Sequence, residues 1–77
     1  MPQDVSYTVI LEPQPGGGFT VLVPALPEVV TEGDTEEEAL AMARDAIRLG
    51  LDYRREQGLP LPADATPAVR KVTVPAK

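Results

Sequence analysis

The sequence predicts an α+β fold: a single small domain ordered β-β-β-α-β, with one main helix packed against a sheet. Three observations carry this. Two segments near the N-terminus alternate apolar and polar residues on either side of a turn rich in proline and glycine; an acidic, capped helix start precedes apolar residues at helical spacing; and a valine-rich segment follows a proline-rich connection. The domain takes in residues 1–77, with a core at about 5–75 and the connection at 59–68.

In VSYTVILE, residues 5–12, Val5, Tyr7, Val9 and Leu11 share one parity while Ser6, Thr8 and Glu12 take the other, and only Ile10 breaks the alternation. That pattern is a half-buried strand. In the following PQPGGG, Pro13 and Pro15 cannot donate to a ladder and Gly16 to Gly18 supply positive φ, so the chain reverses. FTVLV resumes the alternation through Phe19, Val21 and Val23 until Pro24 ends it, which completes a β-hairpin. EVVTE supplies a brief third strand around Val29 and Val30.

Thr35 and Glu38 have the spacing of a capping box, in which the hydroxyl accepts from the third helical N–H and the carboxylate reaches back to the cap; Asp34 and Glu37 repeat the spacing one residue earlier. Glu36, Glu37 and Glu38 fill the first turn, where each carboxylate gains about 0.3–1 kcal/mol from the helix dipole. Gly58 is a natural C-terminal cap. At helical spacing Ala39, Leu40, Ala43, Ala46, Ile47, Gly50 and Leu51 form the stripe for the sheet. Met42, Leu49 and Tyr53 widen the apolar sector to roughly 200°, more than one small sheet covers. They either lie partly exposed or under the tail, or they meet another subunit. LPLPADATPA, with three prolines, is an extended connection, and VRKVTV is a last strand reached by a right-handed crossover.

Composition removes most chemistry. With no histidine and no cysteine, the usual acid–base, nucleophilic and zinc arrangements have no residues to build on, and disulfides are excluded. Glu36, Glu37 and Glu38 point to different sides of a helix, which suits capping and not a magnesium site; Ser6 has no base beside it; Gly16 to Gly18 open a strand where a phosphate loop opens a helix. Catalytic residues, metals and cofactors are therefore expected to be none. Twelve acidic against seven basic residues give a net charge of −5, which opposes phosphate backbones and anionic lipid and favours basic partners. Arg70, Lys71 and Lys77 are the only basic run and carry no interleaved aromatic, so nucleic acid is not the expected ligand. No apolar run is long enough to span a bilayer and no leader precedes the first strand; the expected location is cytoplasmic. A domain this small is marginal alone, and with no cysteine or zinc site oligomerisation is the remaining support.

The stretch YTVILEPQPGGGFTVLVPALPEVVTEGDTEEEALAMARDAI, with the later GLPLP, resembles the HicB antitoxin family, also described as the HicB-like or UPF0150 group. The resemblance runs over about residues 7–62, and its most specific positions are Pro24, Leu26, Pro27, Gly33, Asp34, Thr35, Glu38 and Ala39. Ala25 stands where the family usually has Asp, and Glu28 where it usually has Gly. The resemblance implies a degraded ribonuclease H-like fold on a mixed sheet, the last strand parallel to the first. It also implies binding and neutralisation of HicA, a small basic RNA-cleaving toxin. As the chain stops about one strand after the helix, a short form without a C-terminal DNA-binding domain is expected.

The acidic turn of Glu32, Asp34, Glu36 and Glu37 is then the expected partner-binding surface, and Met42, Leu49 and Tyr53 the expected oligomer interface. Two other readings stand beside the toxin-binding one: a stand-alone oligomeric interaction module of the same fold with an unknown partner, and a residual nuclease.

Overall fold

The computed structural model describes residues 4–76. Its elements are β1 (Ile10–Pro13), β2 (Phe19–Leu22), β3 (Val30–Gly33) and α1 (Glu36–Glu56), an α+β domain as the sequence predicts. The sheet has the order β1-β2-β3 and is antiparallel throughout, with Leu11 opposite Val21 and Val21 opposite Thr31. Helix α1 covers one face of it. That face takes Leu11, Phe19 and Val21, so the odd parity points inward, and Ile10, the residue that breaks the alternation, belongs to the outer face beside Leu22 and Val30.

The β1–β2 turn closes by the Gly17 N–H donating to the Gln14 carbonyl at 2.9 Å and the Gln14 N–H to the Gly18 carbonyl at 3.0 Å. Gly17 and Gly18 take positive φ (98° and 82°), whereas Gly16 does not. Two β-turns connect β2 to β3 and share one residue. The Leu26 N–H donates to Val23 and the Val29 N–H to Leu26, at 2.9 and 2.8 Å, which puts Pro24 and Pro27 each at the second turn position, where a fixed φ near −65° costs nothing. Leu26, the shared residue, is fully buried.

At the start of α1 the Glu38 N–H donates to the Thr35 hydroxyl oxygen at 3.1 Å, and the Glu38 carboxylate accepts from the Asp34 N–H at 3.1 Å, one residue beyond the expected cap. At its end the Gly58 N–H donates to the Arg55 carbonyl and the Leu59 N–H to the Arg54 carbonyl, with Gly58 at φ 70°: a Schellman termination. The core has two lobes. Val21, Ala39 and Ala43 form one, and Val23, Leu26, Val29 and Leu51 the other, with Tyr7, Val9, Ala46 and Ile47 packed around the second. Of the stripe assigned to the sheet, Leu40 alone is exposed, because it overhangs the β1 side of the sheet.

Two strand assignments are corrected. The first strand begins at Ile10 and not at Val5: β2 stops at Leu22, opposite Ile10, and Pro24 lies beyond, so residues 5–9 have no ladder partner although Tyr7 and Val9 still pack on the core. The last strand is not formed; residues 69–74 carry no ladder, and Val69, Val72 and Val74 are 81%, 83% and 68% exposed. No strand of the sheet is thus parallel to another among the described residues, and the sheet is not mixed. The reason lies at Asp64. Its carboxylate accepts from the Thr8 N–H and from the Thr8 hydroxyl, both at 2.8 Å, and the Tyr7 hydroxyl donates to the Pro62 carbonyl at 2.6 Å. With Asp64 level with Thr8, a tail running along β1 would bring Val69 level with Pro13, the end of β1, and carry residues 70–74 past it. The long axis of the molecule, 55 Å against 26 and 20 Å, reflects that projecting tail.

Candidate partner-binding surface

The acidic positions meet at one end of the molecule. Cross-strand register sets Glu12, Thr20 and Glu32 side by side on the outer face of the sheet, which places the backbones of the two glutamates roughly 10 Å apart across the middle strand. From Glu32 the chain leads through Asp34 to Glu36 and Glu37 on the first turn of α1, and all are exposed. None of these five carboxylates takes part in an ion pair among the described residues. The three ion pairs lie elsewhere: Arg48–Asp45 and Arg55–Asp52 along α1, at 3.0 and 2.9 Å, and Arg54–Glu28 at 2.9 Å. Free negative charge is therefore concentrated at the β3–α1 end, and the positive end of the helix dipole lies beneath it. Glu38 is not available there, because it is occupied by the Asp34 N–H.

Glu12 was not among the sequence candidates. It could have been found by counting outward from the Gln14–Gly18 turn, since the turn fixes the register that sets it opposite Thr20. The Asp64 clasp and the Glu28–Arg54 pair join residues 56 and 26 positions apart and leave no local signal.

Met42, Leu49 and Tyr53 are exposed, and the tail does not cover them; Leu49 and Tyr53 are 70% and 59% accessible. Leu49 and Tyr53 line an open cleft of about 580 Å³ with Val29, Val30 and Leu59, on the β3 side of the helix. Arg54 and Glu28 bridge this cleft. The N–H of its own residue and then the Arg54 guanidinium hold the Glu28 carboxyl below its ordinary range. On the β1 side a second open cleft, about 720 Å³, runs between Val5, Tyr7 and Val9 and the helix residues Leu40, Ala43, Ile47 and Leu51. No group of three or more acidic side chains among the described residues is arranged to hold a metal ion; Glu36, Glu37 and Glu38 diverge around their turn. No helix among the described residues is long and apolar enough to cross a membrane.

Residues 7–74 match the family described as HicB_like antitoxin of bacterial toxin-antitoxin system. This chain belongs to that family. Among its HicB-like relatives, Antitoxin HicB 1 of Photorhabdus laumondii is 44% identical over 62 residues, covering 78% of this chain and 40% of that one. Antitoxin HicB of Escherichia coli K12 is 39% identical over 59 residues, 74% of this chain and 43% of its own. UPF0150 protein Ta0767 of Thermoplasma acidophilum is 37% identical over 60 residues, covering 78% of this chain and 87% of that one. The chain thus spans about two fifths of the length of the HicB antitoxins it matches, and most of the length of the UPF0150 protein.

The family-motif residues turn out to serve the fold. Pro24, Leu26 and Pro27 build the paired turns, Thr35 and Glu38 cap the helix, and Ala39 is fully buried. Gly33 is required by contact: a Cβ there would collide with the Ala39 backbone, where the helix start crosses the end of β3. Of the two departures from the motif, Glu28 needs no positive φ in its turn and uses its side chain to reach Arg54, while Ala25 occupies the corresponding position of the first turn.

Proposed function

We propose that this chain acts as a non-catalytic HicB-like antitoxin, binding and neutralising a small basic HicA-like RNA-cleaving toxin through its unpaired acidic end. The observation that carries the reading is the segregation of charge: Glu12, Glu32, Asp34, Glu36 and Glu37 lie together and have no cationic partner among the described residues, while Asp45 and Asp52 farther along α1, and Glu28 beside it, are each paired with an arginine. Complementary charge steers encounter and excludes wrong partners, and apolar contacts carry residual affinity. The cross-strand row Ile10, Leu22 and Val30, next to the carboxylates on the outer sheet face, supplies apolar surface in the right place. Relatives named as HicB antitoxins support the role; a toxin partner is carried over from them. The protein is read as cytoplasmic, and as a homo-oligomer in which the exposed Met42, Leu49 and Tyr53 stripe meets a second copy.

The test is co-expression with a basic protein encoded beside it. Co-purification and relief of that protein's toxicity are expected, and the Glu36→Lys/Glu37→Lys double variant should weaken both while circular dichroism stays unchanged. Failure to bind the neighbouring protein would favour the second reading, a stand-alone oligomeric module with another partner. The near full-length match to the short UPF0150 protein supports that reading.

A further inference from the structure

We propose that residues 69–74 form the missing fourth strand in trans: the tail of one copy fills the β1-side cleft of a second copy, and the exchange is reciprocal. Four observations lead there. In the tail VRKVTV, Val72 and Val74 share one face and flank Thr73, yet the segment carries no ladder and is exposed. The slot for such a strand exists, between the unladdered residues 5–9 and the overhanging helix face of Leu40, Ala43, Ile47 and Leu51. The chain cannot fill its own slot with this tail. Asp64 is clasped to Thr8, and at roughly 3.3 Å per residue the five residues to Val69 span about 17 Å, which uses up β1 before the tail strand starts. The intervening residues, 65–68, include Pro67, which lacks the N–H a ladder needs.

The fourth observation is the surface. The chain exposes 6260 Å², where a compact monomer of its mass exposes about 4,500 Å². The radius of gyration is 15.1 Å, where about 11.5 Å is expected for a compact domain of this length. An excess of about 1,700 Å² is of the order that a specific protein interface buries.

The occupant is a second copy because the unpaired strand and the unfilled slot belong to the same chain. Mutual exchange satisfies both at once and closes with two-fold symmetry. Backbone amides of 70–74 and of the residues around Thr8, whose own N–H stays with Asp64, gain ladder partners across the pair, and Val72 and Val74 turn onto Ile47 and Leu51. The β3-side cleft does not serve, since the Arg54–Glu28 ion pair spans it and Leu59 lines it. This contact is separate from the Met42, Leu49 and Tyr53 stripe, which is left free to join dimers, and it requires no toxin.

Sedimentation or light scattering of the full chain at micromolar concentration should give about 16 kDa or a multiple of it, from a chain of 8.2 kDa. Val72→Asp/Val74→Asp should give monomer with unchanged helical circular dichroism, since both side chains are exposed in the single chain. Val72→Ile/Val74→Ile should retain the dimer. Leu49→Asp/Tyr53→Asp should reduce any larger assembly to a dimer and no further. Hydrogen exchange should show amides 70–74 protected in the wild type and unprotected in the aspartate variant. A wild-type monomer at these concentrations would overturn the proposal. So would a dimer that survives the aspartate pair, a dimer dissolved by the Leu49/Tyr53 variant alone, or a dimer whose amides 70–74 exchange freely.

Discussion

Gly33 and Thr35 illustrate how single residues hold the β3–α1 junction. Thr35→Ala removes the hydroxyl that accepts from the Glu38 N–H and should cost about 1 kcal/mol in denaturant unfolding. Gly33→Ala places a methyl group against the Ala39 backbone, which cannot rotate away as a side chain would, and should cost at least about 1–3 kcal/mol. Leu26→Ala, at the shared residue of the paired turns, should cost about 2–5 kcal/mol. Against a stability of about 4–12 kcal/mol for a chain of this length, that alone approaches the threshold of unfolding. If Thr35→Ala proved as costly as Leu26→Ala, the cap would be positioning the helix on the sheet as well as starting it. These local devices were legible in advance because each rests on residues within five positions of one another: the Thr35/Glu38 box and the Gly58 termination needed no knowledge of the sheet. The Gly33 contact was not, since only the crossing of helix over strand creates it.

At the scale of elements, the hairpin, third strand and helix follow from periodicity, and the errors fall where an element depended on a partner. Residues 5–9 alternate as a strand should, but the ladder needs β2 opposite them, and β2 has already ended. Residues 69–74 alternate only from Val72 to Val74, and their placement was decided by a clasp between residues 56 apart in sequence. That clasp makes a pH prediction. The Thr8 N–H first, then the Thr8 hydroxyl, hold the Asp64 carboxyl below its ordinary range. A folded-state pKa lowered in this way means that the contribution is present at neutral pH and is lost as pH falls through the lowered value. A titration following the Thr8 amide resonance should therefore show its midpoint below that of a free aspartate, and Asp64→Asn should abolish the transition. A midpoint at the ordinary aspartate value would mean that the clasp is open in solution.

For the whole molecule the decisive property is its uneven charge. If the acidic end steers a basic partner, the association rate should fall as salt rises from about 50 to 500 mM, over which the Debye length shrinks from about 14 to about 4 Å. Dissociation should change little, since apolar contacts hold the complex. Reversal of Glu12, added to the Glu36 and Glu37 variants, should lower the on-rate further without affecting the helix, because Glu12 lies on the sheet. Of this surface the sequence disclosed the contiguous part, Glu32 to Glu37, and missed the member contributed by another strand. A charge cluster spread across a sheet is visible only once register is known. No RNA or RNA–DNA hybrid should be cleaved by the purified chain with or without magnesium. Metal-dependent cleavage abolished by Glu38→Gln would require an active site at the helix start.

The clasp also orders events in time. The ladders of the sheet and the packing of α1 on β2 and β3 lie within residues 10–56, between neighbouring antiparallel strands or between strands and the helix that follows them, so this body rests mostly on local contacts and can assemble before the clasp closes. Tyr7 and Thr8 must wait for Pro62 and Asp64, which lie 55 and 56 residues farther along the chain and close that loop for the return of three hydrogen bonds. Closure then aims residues 65–76 outward from a finished domain. If the tail pairs with a second copy, a chain built in this order presents that segment only after its own core is complete, which separates self-association from folding and keeps one from interrupting the other.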